Sequence, residues 1–72
     1  MMNEDYVMNV LKSLVDNRQM RPEDYKDFGG EIARRIARWM PRNEMAHKTL
    51  PEWKHIMDLT LDDILVDTAC AS

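Results

Sequence analysis

The stretch PEDYKDFGGEIARRIARWMP, residues 22–41, decides the fold. A Gly-Gly pair ordinarily ends a helix, which would make this two short helices with a turn at Gly29-Gly30. The periodicity points the other way. At about 100° per residue, Tyr25, Phe28, Gly29, Ile32, Ile36, Trp39 and Met40 fall on one stripe. Glu23, Asp27, Glu31, Arg34 and Arg38 stay on the opposite face. A turn would reset the phase, and the phase does not slip. One helix over about residues 22–40 is therefore predicted. Pro22 suits its first turn, Glu23 and Asp24 suit the positive end of its dipole, and Pro41 stops it. An interior glycine costs roughly 1 kcal/mol relative to alanine. Gly29, Ala33 and Ala37 lie four apart, so the compensation expected is the close approach of a partner helix.

The flanking segments also read as helices. Tyr6, Val7, Val10, Leu11, Leu14 and Val15 recur at helical spacing and predict a helix over about residues 3–16. Asn3 is the expected cap, and Asn17 the residue expected to turn left-handed at its end. Arg42 to Lys48 reads as a connector with one turn capped by Asn43. Thr49-Leu50-Pro51-Glu52 is a capping box, and Leu50, Trp53, Ile56, Met57, Thr60, Leu61, Ile64 and Thr68 then hold one phase. This predicts a last helix over about residues 50–67. Thr60-Leu61-Asp62-Asp63 is a second capping pattern, so the helix either runs through or breaks near residues 59–60. Residues 68–72 read as a frayed tail. No segment alternates like a strand. The expected fold is a single all-α domain, a small bundle of three to four helices.

Composition narrows the function classes. A chain of 72 residues buries only roughly 60% of the surface its unfolded form exposes, so its core is marginal. The formal net charge is −3, unlike a dedicated nucleic-acid binder. One cysteine, Cys70, excludes an internal disulfide and a multi-cysteine zinc site. No run approaches the roughly 18 apolar residues of a membrane span. The acidic start, Met1 to Asp5, does not read as a signal or transit peptide, so a cytoplasmic location is expected.

Charge is unevenly spread. Residues 18–48 carry eight basic and five acidic side chains, while both flanks are acidic. The basic cluster is Arg34, Arg35, Arg38 and Arg42, with Arg18 and Arg21 before it. Arg34, Arg38 and Arg42 share a face if the helix persists that far. Guanidinium groups so placed suit carboxylates or phosphates. A solvated face with Glu31-Arg34 and Glu31-Arg35 pairs accounts for the same pattern. For DNA, the reading would be a helix-turn-helix with residues 31–40 as recognition helix. Five interleaved acids, and the lack of Asn or Gln for adenine readout, count against it.

Glu44-Met45-Ala46-His47 and Glu52-Trp53-Lys54-His55 have the spacing of a di-metal carboxylate centre. Pro51 lies between them, and His55 falls opposite the apolar stripe, so exposed polar groups are the expected reading. Cys70 lacks an activating environment, and no cofactor site is evident. The chain has seven Met, two Trp, two Tyr and one Phe. Met-rich and aromatic surfaces suit partners. Tyr6, Tyr25, Phe28, Trp39 and Trp53 also lie on or beside the stripes and suit the chain's own core.

The sequence thus reads as a small non-catalytic regulator or accessory protein, of the inhibitor or adaptor type found in phages and bacteria. The expected partner is a protein with an acidic patch, met by Arg34, Arg35, Arg38 and Arg42, with Trp39 or Trp53 as anchor. A homodimer is also expected. Its seam would be the Gly29-Ala33-Ala37 side or the outer edge of the last helix.

Overall fold

The computed structural model describes residues 2–70. Among them are four helices and no strand: α1 (Asn3–Asp16), α2 (Pro22–Trp39), α3 (Arg42–Met45) and α4 (Leu50–Cys70). α2 runs unbroken through Gly29-Gly30, and neither glycine has a positive φ. The continuous phase of its stripe was the correct guide.

α1 and α2 form an antiparallel hairpin. Glu4 faces Arg34, and Met8 faces Gly29. Val7, Leu11 and Leu14 of α1 are fully buried, as are Ile32 and Ile36 of α2. Each such side chain contributes about 1.5–3 kcal/mol. Gly29 and Ala33 are both buried in this hairpin. A Cβ added at Gly29 would stand 3.3 Å from Tyr25 Cδ1 and 3.7 Å from Met8 Cε. The close approach expected at the small residues is therefore made within the chain, by α1 and by the Tyr25 ring. Gly29 and Ala33 are thus covered by the chain's own elements, while Ala37 is half-buried.

α4 lies across this pair and buries Trp53, Met57, Thr60 and Ile64. Met20, Met40 and Met45 fill the core from the connections, where an unbranched side chain adapts to irregular space. The radius of gyration is 11.7 Å, close to the about 11 Å expected for a fully packed chain of this length.

The helix ends correct several expectations. Met2, not Asn3, is the N-cap of α1, and no side chain caps it. Asn3 Oδ1 instead accepts a hydrogen bond from Arg42 Nε at 3.2 Å. At the other end Asn17 stays at φ −93, and Arg18 takes the left-handed conformation at φ 60. Arg18 N–H donates to Val15 O and Gln19 N–H to Leu14 O. This is a Schellman closure with arginine where glycine is usual. Pro41, not Asn43, caps the single turn of α3.

The Thr49 capping box forms as the sequence requires. Thr49 N–H donates to Glu52 Oε1 at 3.0 Å, and Glu52 N–H to Thr49 Oγ1 at 3.4 Å. The Thr49 N–H and the Thr49 hydroxyl, which donates to the same Oε1 at 2.8 Å, hold the Glu52 carboxyl below its ordinary pKa. α4 does not break near residues 59–60. Thr60 Oγ1 donates back to Ile56 O at 2.8 Å, so its hydroxyl is used within the helix and caps no new start. The helix also continues past residue 67, and residues 68–70 are helical rather than frayed. Residues 71–72 of the expected tail lie outside the described residues.

Three substitutions follow from these backbones. Gly30 is helical and exposed, with nothing within 4 Å of an added Cβ. Gly30→Ala should stabilise the chain by about 0.5–1 kcal/mol, and Arg18→Gly should stabilise it by relieving the left-handed strain, roughly 1–2 kcal/mol before the entropy of a freer unfolded chain is subtracted. Gly29→Ala should gain less than Gly30→Ala, because the Tyr25 ring must give way. Thermal unfolding followed by circular dichroism orders the three; a midpoint lowered by Gly30→Ala contradicts the continuous helix.

Candidate interaction site at the seam of α2 and α4

The arginines of α2 are mostly engaged inside the molecule. Arg34 pairs with Glu31 at 3.1 Å and with Glu4 of α1 at 3.9 Å. Arg35 bridges Glu31 and Asp67 of α4, both at 2.9 Å. The Arg35 hydrogen bond, aided by the fields of Arg34, Arg35 and Arg38, holds the Glu31 carboxyl below its ordinary pKa. Hydrogen bonds to Glu31 and Asp67 raise that of Arg35. The acidic flanks of the sequence thus fold back on its basic middle. Pairs this exposed contribute only about 0–1 kcal/mol each, so they set how the helices lie rather than hold them together.

Arg42 is not on the face of Arg34 and Arg38, because α2 ends at Trp39. Its guanidinium stacks over the Tyr6 ring, 4.8 Å from the centroid, and donates to Asn3. It ties α3 to the start of α1. Arg38 differs from the other three. It makes no ion pair or hydrogen bond among the described residues, although its field helps to lower the pKa of the Glu31 carboxyl.

The two tryptophans separate. Trp53 is 3% exposed and sits in the core beneath α4, so it is not presented to a partner as expected. Its place on the inward stripe of α4, with Met57, Thr60 and Ile64, buries it. Trp39 is 57% exposed, because it is the last residue of α2 and its ring reaches the edge of the bundle. With Arg35, Arg38, Thr60 and Asp63 it lines a shallow cleft of about 250 Å³.

Sequence reasoning named the outer edge of α4 as a seam but not the residues that form it. Leu59, Leu65 and Val66 are 53%, 46% and 59% exposed. Leu59 is one residue from Thr60 and one turn from Asp63, so it adjoins the wall of the Trp39 cleft. The signal was present: α4 carries apolar residues beyond the single stripe its burial needs.

Other candidates do not assemble. Glu52 is held by Thr49 and Glu44 pairs with Lys48. Among the described residues no group of three His, Cys, Asp or Glu is placed to hold a metal. Nor does any buried side-chain nitrogen or oxygen among them lack a hydrogen-bond partner. A wider cleft of about 580 Å³ lies between the α1–α2 loop and Lys54. Its Arg21 and Lys54 are paired with Glu23 and Asp58. No helix among the described residues is long and apolar enough to cross a membrane.

The contrast between the tryptophans is directly measurable. In solutions well below micromolar concentration, Trp53→Phe should leave a red-shifted emission readily quenched by iodide, from Trp39. Trp39→Phe should leave a blue-shifted emission that iodide barely reaches, from Trp53. The reverse pattern contradicts the placement of both rings.

No known protein family matches this chain, and neither a curated protein nor a solved structure is significantly similar to it, which leaves the geometry of this seam as the ground for function.

Proposed function

We propose that this protein is a small non-catalytic docking protein that binds another protein chain through the surface formed by Trp39, Leu59 and Val66, with Arg38 and Asp63 at its edge. The observation that carries this reading is the exposure of Trp39 over a cleft shared with Thr60 and Asp63 of α4, the helix that also exposes Leu59 and Val66. Tryptophan and arginine are the residue types most enriched among energetic anchors of interfaces. Here one of each lies side by side, and the arginine has no ion-pair partner among the described residues.

The reading differs from an arginine face meeting an acidic patch. Arg34 and Arg35 are neutralised by Glu4, Glu31 and Asp67, and drawing them to a partner would break those pairs. Arg38 alone keeps the role the sequence assigns to the cluster. Duplex DNA is disfavoured on the same ground. The turn that a helix-turn-helix needs at Gly29-Gly30 is also absent. A regulatory or inhibitory role in the cytoplasm fits a protein that acts by occupying a surface of its target.

Affinity capture from the native host, read by quantitative mass spectrometry with a differently tagged second copy co-expressed, tests this. Trp39→Ala combined with Leu59→Lys should lose a specific partner, since a truncated anchor costs about 2 kcal/mol or more. Arg34→Glu should retain it. Equal recovery by the Trp39-Leu59 variant would overturn the proposal, and selective loss with Arg34→Glu would return the interface to the arginine face.

A further inference from the structure

We infer that the occupant of this surface is a second copy of the same chain, paired about a two-fold axis over the outer face of α4. The inference rests on the docking reading above and names its partner.

α4 is apolar on two faces. Trp53, Met57 and Ile64 point into the core, while Leu59 and Val66, two turns apart, line the opposite side. Beyond Ile64 nothing in α4 is buried as far as Cys70, although Leu65 and Val66 lie there. A helix apolar on both faces is ordinarily covered on both. The alternative seam along Gly29 and Ala33 is already closed by α1.

The charges at the edge of the strip indicate what covers it. Arg34, Arg35, Asp58 and Asp67 are all ion-paired. Arg38, Asp62 and Asp63 are not, among the described residues, and all three are exposed. A partner patch of one sign would satisfy one of these sets and oppose the other. A two-fold contact satisfies both, because residue i of each copy meets residue j of the other. Arg38 of each chain then faces Asp62 and Asp63 of the second copy, with Trp39, Leu59 and Val66 closed between them. A chain this small also gains from sharing a core. Three apolar residues are few beside the roughly 20–30 residues a side of a standard interface, so dissociation in the micromolar range is expected.

Sedimentation of the full chain across micromolar concentrations tests the pairing. The wild type should pass from 8.5 kDa to twice that mass as concentration rises. Arg38→Glu alone and Asp63→Arg alone should each stay monomeric, since each then sets like charges together. An equimolar mixture of the two should recover the dimer, because Glu at 38 meets Arg at 63 while the unchanged Arg38 and Asp63 meet each other. No contact within one chain produces that recovery. Far-ultraviolet circular dichroism should be unchanged throughout, and Trp39→Ala should weaken the wild-type dimer without touching these charges.

A wild type that remains at 8.5 kDa, single variants as dimeric as the wild type, or a mixture that stays monomeric would each overturn self-pairing. If the wild type is monomeric and the Trp39-Leu59 variant still loses a different captured protein, the docking reading stands without self-pairing. If the variant loses nothing, both fall.

Discussion

The structure depends on α2 passing through two glycines without breaking. An unbroken helix over residues 22–39 keeps Gly29 on the same buried face as Ile32, Ala33 and Ile36, and α1 and α4 both pack against α2. Met8 of α1 lies over Gly29 at an ordinary contact distance. Tyr25, one turn earlier on the same helix, occupies the space that a side chain at 29 would need. The helix accepts the low propensity of glycine there because the ring and the methionine fill the gap. Gly30 has no such neighbour, and nothing in the packing explains its presence.

Charge then determines what this framework offers to the outside. Acidic residues at both ends of the chain return to the basic middle: Glu4 to Arg34 and Asp67 to Arg35. The energies are small beside the burial of Leu11 or Ile36, but their effect on recognition is large. Of four arginines clustered in sequence, Arg38 is left without a hydrogen-bond or ion-pair partner among the described residues, next to the one tryptophan that the core does not enclose. Arg42 meanwhile is spent on Tyr6 and Asn3. The surface is set by what internal pairing leaves over.

Much of this was legible in the residues. Helical phase located α1, α2 and α4, and its continuity across Gly29-Gly30 outweighed the usual meaning of a glycine pair. The Thr49-Glu52 box marked the start of α4, and the Glu31 pairs with Arg34 and Arg35 followed from spacing. What failed was local and depended on tertiary contact. Asn3 was drawn from its cap by Arg42, which is 39 positions away in sequence. Arg18 rather than Asn17 took the left-handed turn, because closure at Leu14 and Val15 places the reversal one residue later. Trp39 and Trp53 both sit on apolar stripes, and a stripe alone does not say which residue reaches the rim. Thr60 resembled a cap because sequence pattern does not distinguish a hydroxyl that starts a helix from one that bonds back within it.

The central claim is the continuity of α2, and backbone nuclear magnetic resonance tests it most directly. Across residues 28–32 the account predicts helical Cα shifts and sequential amide–amide contacts without interruption, with negative φ at both glycines. A positive φ at Gly29 or Gly30, with loss of those contacts, would contradict it. It would divide α2 into two helices, release α1 from its packing face and restore the turn that a helix-turn-helix requires.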